Sequence, residues 1–242
     1  MQPPGHSVAC ERIAYGPEPF QFGELRTPEK PGPYPVLLVL HGGFWRAAYD
    51  LEHITPLCQA LTALGFTTWN VEYRRLGNGG GWPVTFHDVA LAARRFPNSI
   101  AVGHSAGGHL ALLLAHGGLV SAAVSLAGVA DLQRAGELGL SRGVVLEFLN
   151  GHPCREASPI DQLPARVPLR LIHGLNDDIV PHEIAARYAD AARAAGDDVE
   201  LLSLPDTGHF ELVTPSSQQW PEVYRMIERI SAMVWSNSSS AV

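Results

Sequence analysis

Lysine is almost absent from the 242 residues: of 17 basic side chains, sixteen are arginine and one is Lys30. Charged residues make up only 17% of the chain, below the roughly 25% usual for globular domains. Acids outnumber bases 24 to 17, for a net charge of −7, and the bases form no run longer than Arg74-Arg75 or Arg94-Arg95. A surface for nucleic acid or an anionic membrane is therefore not indicated. Three cysteines, Cys10, Cys58 and Cys154, are too few and too scattered for a disulfide framework or a zinc knuckle, which suggests a reducing compartment. No apolar run approaches the roughly 18 residues that span a bilayer. Met1 to Cys10 carries Pro, Gly and Ser where a signal peptide would have a basic start and an apolar stretch. The expectation is a cytoplasmic protein without a membrane partner. None of the eleven histidines has metal-ligand spacing, so neither a metal nor an organic cofactor is expected.

What is present is a core: 46% of the residues are hydrophobic, and short β-type runs alternate with helical stretches. Val36 to Leu40 is an apolar run of the kind buried on both faces of a parallel sheet, ending at His41-Gly42-Gly43. Thr55-Pro56 supplies an N-cap and a first-turn proline for a helix stopped by Gly65, and Phe66 to Tyr73 is aromatic and β-branched, hence a strand. A helix follows Pro83. Ser99 to Val102 is a strand, and Ala106 to His116 is a helix that Gly117 can end in a left-handed cap. Strands at Ser121 to Leu126, Leu169 to Ile172 and Val199 to Leu204, with helices at Ile184 to Ala195 and about Glu222 to Trp235, complete the series. The small polar end, Ser236 to Val242, reads as a frayed tail.

Alternation this regular implies right-handed crossovers, so the expected fold is α/β: a doubly wound, mostly parallel sheet with helices on both faces, one domain over residues 1–242. Two segments break the rhythm. Residues 1–35 can hold an antiparallel hairpin, Arg12 to Tyr15 with Gln21 to Leu25, at a sheet edge. Residues 128–168 form a forty-residue excursion of the sort that builds lids or binding loops.

The strongest chemical signal is Gly103-His104-Ser105-Ala106-Gly107-Gly108, between a strand and a helix. This is G-x-S-x-G in the setting that gives it meaning. The turn is so sharp that residues two before and two after Ser105 must lack side chains, and Ser105 is left at a helix N-terminus where a developing oxyanion is favoured. A serine hydroxyl needs a base oriented by a carboxylate. In an open parallel sheet the reactive groups gather at the carboxyl ends of strands. His209 lies in the loop after the last strand and Asp177 in the loop after the strand before it. Asp178 is a rival for the acid. Asp206 suits a turn, and His182, His104, His109 and His116 are read as packed or partly exposed polar groups. His41-Gly42-Gly43-Phe44-Trp45 follows the first buried strand, where the N–H groups of Gly43 and Phe44, with that of Ala106, could form an oxyanion hole.

These residues resemble the α/β-hydrolase superfamily: the serine elbow, the Gly174-x-x-Asp177-x-x-Val180-Pro181 loop and the Gly208-His209 loop, in the order Ser, Asp, His. The likeness spans about Pro35 to Val234. His41-Gly42-Gly43-x-Trp45 is similar to small esterases, lipase-like enzymes and kynurenine formamidases, and the elbow with its extra Gly108 also resembles prolyl-oligopeptidase relatives. The hormone-sensitive-lipase branch has a third glycine where Phe44 stands, and it carries a helical cap for which the short Pro/Gly-rich start leaves little room. The peptidase branch adds a propeller that these residues do not include. The resemblance implies a catalytic triad of Ser105, Asp177 and His209 in a compact, lightly lidded hydrolase.

The expected activity is hydrolysis of short-acyl carboxylic esters through an acyl-enzyme, with a small-molecule ester as partner. Amide hydrolysis, as by an arylformamidase or small peptidase, is the alternative, and a non-catalytic hydrolase-fold binding protein is an alternative of another class. Trp45 and Phe210 are expected to wall the substrate pocket. Leu132, Leu138, Leu140, Val144, Val145, Phe148 and Leu149 could either roof it or pack as core. Arg46 and Arg74-Arg75 could meet a substrate carboxylate, with surface ion pairs as the default reading.

Overall fold

Alternate residues of the first apolar strand face opposite sides. In the computed structural model, which describes residues 9–239, Leu37 and Val39 join one core layer, and Leu38 and Leu40 the other. That strand, β3 (Val36–Leu40), follows the hairpin β1 (Cys10–Ala14) and β2 (Phe22–Arg26). After it come α1 (Thr55–Ala63), β4 (Thr67–Val71), α2 (Val84–Ala93), β5 (Ile100–His104), α3 (Ala106–His116) and β6 (Ala122–Leu126). The excursion contributes α4 (Leu132–Glu137), α5 (Leu140–Leu149) and α6 (Cys154–Ala157). The chain then runs through β7 (Leu169–Gly174), α7 (Glu183–Ala194), β8 (Val199–Leu204) and α8 (Trp220–Ser239).

The eight strands form one sheet in the order β1-β2-β4-β3-β5-β6-β7-β8, parallel from β4 through β8, with β1 and β2 antiparallel at one edge. This is the α/β-hydrolase fold, and the hairpin expected at the sheet edge is there with Ile13 opposite Gly23. One face is covered by α2, α3 and α7, whose Ala92, Leu110 and Ile184 pack with Leu38, Leu40 and Trp69. Against the other face lie α1 and α8, with Leu57, Leu61, Met226, Ile227 and Ile230 around Leu37, Val39 and Val102.

Local details differ from the sequence reading in three places. Thr55 does not cap α1, because a 3-10 turn over Leu51–Ile54 precedes the helix, with Asp50 accepting the Glu52 N–H at 3.0 Å; the Thr55 hydroxyl donates back to the Leu51 carbonyl. Gly117 stays right-handed at φ −76°, and the left-handed residue is Gly118 at φ 62°. Helix α8 continues through Ser239, so of the expected frayed tail only 240–242, like residues 1–8 at the other end, lie outside the described residues. No described helix is long and apolar enough to cross a membrane.

The excursion over 128–168 is packed into the interior. Leu132, Val144, Val145, Phe148 and Leu149 are buried in the layer that holds α3, and Leu138 is exposed. Core packing is therefore where most of its apolar side chains go.

Candidate active site

Four loops at the carboxyl ends of β3, β5, β7 and β8 bring the candidate residues to one edge of the sheet, where a parallel sheet gathers reactive groups. Ser105 follows β5 with φ 56° and ψ −118°, a left-handed corner that a non-glycine residue holds only under constraint. Its N–H donates to the Leu126 carbonyl at 2.9 Å, and α3 begins at the next residue. The two glycines two residues away are sterically obligatory. A Cβ at Gly103 would overlap the Gly107 carbonyl, and one at Gly107 would overlap the Leu40 carbonyl, both of them backbone that cannot rotate aside.

Behind His209 lies Asp177. Its Oδ1 accepts the N–H groups of Ile179 and Val180, each at 2.9 Å, which folds the loop after β7 around the carboxylate. Its Oδ2 is 2.7 Å from His209 Nδ1. A carboxylate can only accept, so Nδ1 carries the proton and Nε2 is left with the lone pair that a general base needs. The same oxygen lies 3.3 Å from His173 Nε2, which also donates to the Val180 carbonyl at 2.8 Å. Burial alone would raise the Asp177 pKa, but the hydrogen bonds from His173, His209 and the backbone overcome it and hold the group well below the usual carboxylate range. Asp178 and Asp206, the rivals in the sequence, are both exposed.

Ser105, His209, Gly43, Phe44 and Phe210 line one cleft of about 120 Å³, together with Tyr49, His53, His104 and Ile179. Left-handed backbone at Gly43 (φ 103°), Phe44 (φ 49°) and Trp45 (φ 56°) turns the His41-Gly42-Gly43 segment across the top of β3. Gly43 is required there, because an added Cβ would strike the Tyr49 side chain. The Ala106 N–H, first in α3, follows Ser105 directly.

Trp45 is not brought to the cleft. It is fully buried, stacked on Phe148 with ring centroids 4.3 Å apart, and its indole N–H donates to His109 Nδ1 at 3.3 Å. Phe44 is half-buried and meets Trp45 edge-on, with ring centroids 6.5 Å apart, so that Phe44 lines the cleft and Trp45 lies beneath it in the core. Phe210, in contrast, is 51% exposed at the cleft rim. The three arginines weighed for a substrate carboxylate are all paired: Arg46 with Glu147 at 2.8 Å, Arg74 with Asp88 at 2.7 Å and Arg75 with Glu72 at 3.0 Å.

Sequence reasoning missed Glu72. This buried carboxylate receives His41 Nε2 at 3.1 Å and the N–H groups of Tyr73 at 2.9 Å and Leu51 at 3.2 Å, so one side chain ties the His41-Gly42-Gly43 loop to the 3-10 turn that bears His53. Burial opposes its ionisation, yet the bonds from His41 and the nearby Arg75 hold its pKa low. Its only signal in the sequence is an acid between Val71 and Tyr73, directly after a strand. A larger groove of about 590 Å³, lined by Pro28, Lys30, Tyr34 and Leu64, holds no serine, cysteine or histidine.

The prolyl oligopeptidase family matches residues 97–229, which include the elbow and both later loops, and the BD-FAE family matches residues 25–121. Esterase LipC of Mycobacterium tuberculosis is 31% identical over 246 residues, covering 85% of this chain and 61% of its own length. A probable carboxylic ester hydrolase of the same organism, LipM, is 31% identical over 75% of this chain and 51% of its own. The chain thus spans about half to three-fifths of these curated relatives. Among solved structures, esterase B from Lactobacillus rhamnosis superposes with a TM-score of 0.84 at 19% identity, covering 97% of this chain and 88% of that one. Thermogutta terrifontis esterase 2 gives 0.78 at 19%, covering 97% and 98%. With more than half of its residues matched, the chain belongs to the prolyl oligopeptidase family, within the α/β-hydrolase superfamily.

Proposed function

We propose that this chain is a serine hydrolase that cleaves small carboxylic esters. Ser105 attacks the acyl carbonyl while His209 Nε2 takes its proton, and Asp177 fixes the tautomer and stabilises the imidazolium that forms. The N–H groups of Gly43, Phe44 and Ala106 stabilise the tetrahedral oxyanion, each such donor being worth roughly 10²–10³ in turnover. Collapse expels the alcohol with the proton returned by His209. Water, activated by the same imidazole, then releases the acid.

The observation that carries this reading is the 2.7 Å contact between Asp177 Oδ2 and His209 Nδ1, with His209 and the strained Ser105 lining one cleft. Cleft volume limits acyl size. A closed cavity of about 150 Å³ admits a benzene ring, so the 120 Å³ of this cleft supports a preference for short acyl groups. Family membership supports a second reading, amide hydrolysis in the same cleft by the same groups.

A panel of p-nitrophenyl acetate, butyrate and octanoate, with N-formylkynurenine and an aminoacyl anilide, tests both readings. The expected result is ester turnover that falls steeply from butyrate to octanoate and disappears in Ser105→Ala. Wild-type ester hydrolysis by Ser105→Ala would refute the nucleophile, and faster turnover of the amides would make the second reading the right one.

A further inference from the structure

Two imidazoles line the cleft without a part in the chemistry above. His104 is the last residue of β5 and is covalently joined to Ser105, yet its side chain reaches the loop of the base, 105 residues further along the chain: Nε2 is 3.0 Å from the His209 carbonyl oxygen. Its ring packs beside that of His209, with centroids 4.5 Å apart. On the other side, His104 Nδ1 is 3.0 Å from His53 Nε2.

The proton positions are dictated by the partners. A carbonyl only accepts, so His104 Nε2 carries hydrogen. Burial first, then the neighbouring His209 and His53, push the His104 pKa well below the ordinary value, so the ring is neutral and its Nδ1 is an acceptor. His53 Nε2 must then donate. The result is a directed chain of hydrogen bonds, from His53 N–H to His104 and from His104 N–H to the His209 carbonyl. His53 is placed by the Leu51–Ile54 turn, which is held by Asp50 and by Glu72.

The tether has a mechanical purpose. The base sits in a loop after β8, the edge strand of the sheet, whereas the nucleophile sits on β5, with β6 and β7 between them. Small shifts of the edge loop would move Nε2 relative to Ser105, and a misplacement of about 1 Å can cost roughly 10²-fold in rate. Gly42 makes room for the device, since a Cβ there would come within 3.2 Å of His104 Nδ1 and 3.0 Å of Ser105 Cβ. A neutral ring also puts no second positive charge beside the imidazolium that forms on His209.

Resting on the reading of Ser105 and His209 as nucleophile and base, we infer that His104, oriented by His53, is a positioning residue that sets the distance between those two groups.

The test uses p-nitrophenyl acetate kinetics and the rate of labelling by a fluorophosphonate, with thermal melts to confirm folding. His104→Leu keeps the volume and removes the donor, and His104→Gln restores an N–H at the position of Nε2. The expected result for His104→Leu is a fall of about 10- to 100-fold in kcat and labelling rate, with KM changed less than about threefold. His104→Gln should recover at least about tenfold of a hundredfold loss, and His53→Leu should lower kcat in the same sense by a smaller factor. A glutamine variant as slow as the leucine variant, a loss confined to KM, or wild-type kcat in His104→Leu overturns the inference. If His104→Leu fails to fold, the comparison passes to His53→Leu against His53→Gln, where equal kcat values overturn it. Ester turnover that survives in Ser105→Ala would instead show failure of the underlying functional reading, whatever the His104 variants do.

Discussion

Replacing Asp177 by asparagine exchanges one carboxylate oxygen for an NH₂ group, and the surrounding hydrogen bonds decide which oxygen is lost. One accepts two backbone N–H groups, from Ile179 and Val180, and the other faces His209 Nδ1 and His173 Nε2. If the amide NH₂ took the first position, the buried Val180 N–H would lose its acceptor at about 1–3 kcal/mol, and the half-buried Ile179 N–H would lose its own at a smaller cost. The amide oxygen therefore keeps the backbone pair, and NH₂ points at the imidazoles. His209 can then bond to it only by accepting at Nδ1, which moves its proton to Nε2 and removes the lone pair that Ser105 needs. The expected loss is about 10⁴-fold in kcat, the size seen for this change of tautomer in serine proteases, or about 5.4 kcal/mol in the barrier. Steady-state hydrolysis of p-nitrophenyl acetate and the rate of fluorophosphonate labelling read it directly, with circular dichroism confirming the fold. A variant within tenfold of the wild type would refute the assignment of Asp177 as the group that sets the base's tautomer.

Trp45 and Phe210 should separate cleanly. Trp45→Ala empties a fully buried site stacked on Phe148 and strands the His109 ring, so urea unfolding should show a loss of about 3–5 kcal/mol; a loss below about 1 kcal/mol would contradict the burial. Phe210→Ala, at an exposed rim position, should change stability by less than about 0.5 kcal/mol. It should raise KM for aryl esters about two- to tenfold, the worth of one aromatic contact. Stability should also fall on mild acidification. Burial pushes His109 and His116 down to about 4 and His104 well below its ordinary value. Below about pH 6.5 the unfolded chain binds protons that the folded chain refuses. The contribution is complete above that pH and is lost as pH drops towards the folded values, by up to about 1.4 kcal/mol per pH unit for each fully buried ring and less for the partly exposed His116. Urea midpoints at pH 7.5 and 5.0 check the sign, and an unchanged or higher midpoint at pH 5.0 would refute it.

Much of the fold was legible in one dimension because the signals are local. Alternation of apolar strands with periodic helices determined the wound sheet and the order of its layers, since a run such as Val36–Leu40 has only one stable place, between two covering layers. The elbow was legible because backbone crowding at Gly103 and Gly107 is a property of the turn itself. Asp177 and His209 could be placed at one rim because strand direction in a parallel sheet is common to all its members, so loops after strands meet whatever their separation in sequence.

What only the tertiary structure decided is where individual side chains point once the regular elements end. Trp45 lies in the core while Phe44, in edge contact with it, lines the cleft, and no periodicity describes a stretch of three consecutive left-handed residues. The apolar residues of the excursion could equally have roofed the cleft or filled the interior. The choice depended on the apolar flank beside α3, which only the assembled sheet creates. Glu72 and His53 belong to no motif and His104 fills the unspecified position of the serine elbow, so their partners are distant in sequence: a buried polar group finds its meaning in what satisfies it, and that is fixed only when the whole chain has closed around it.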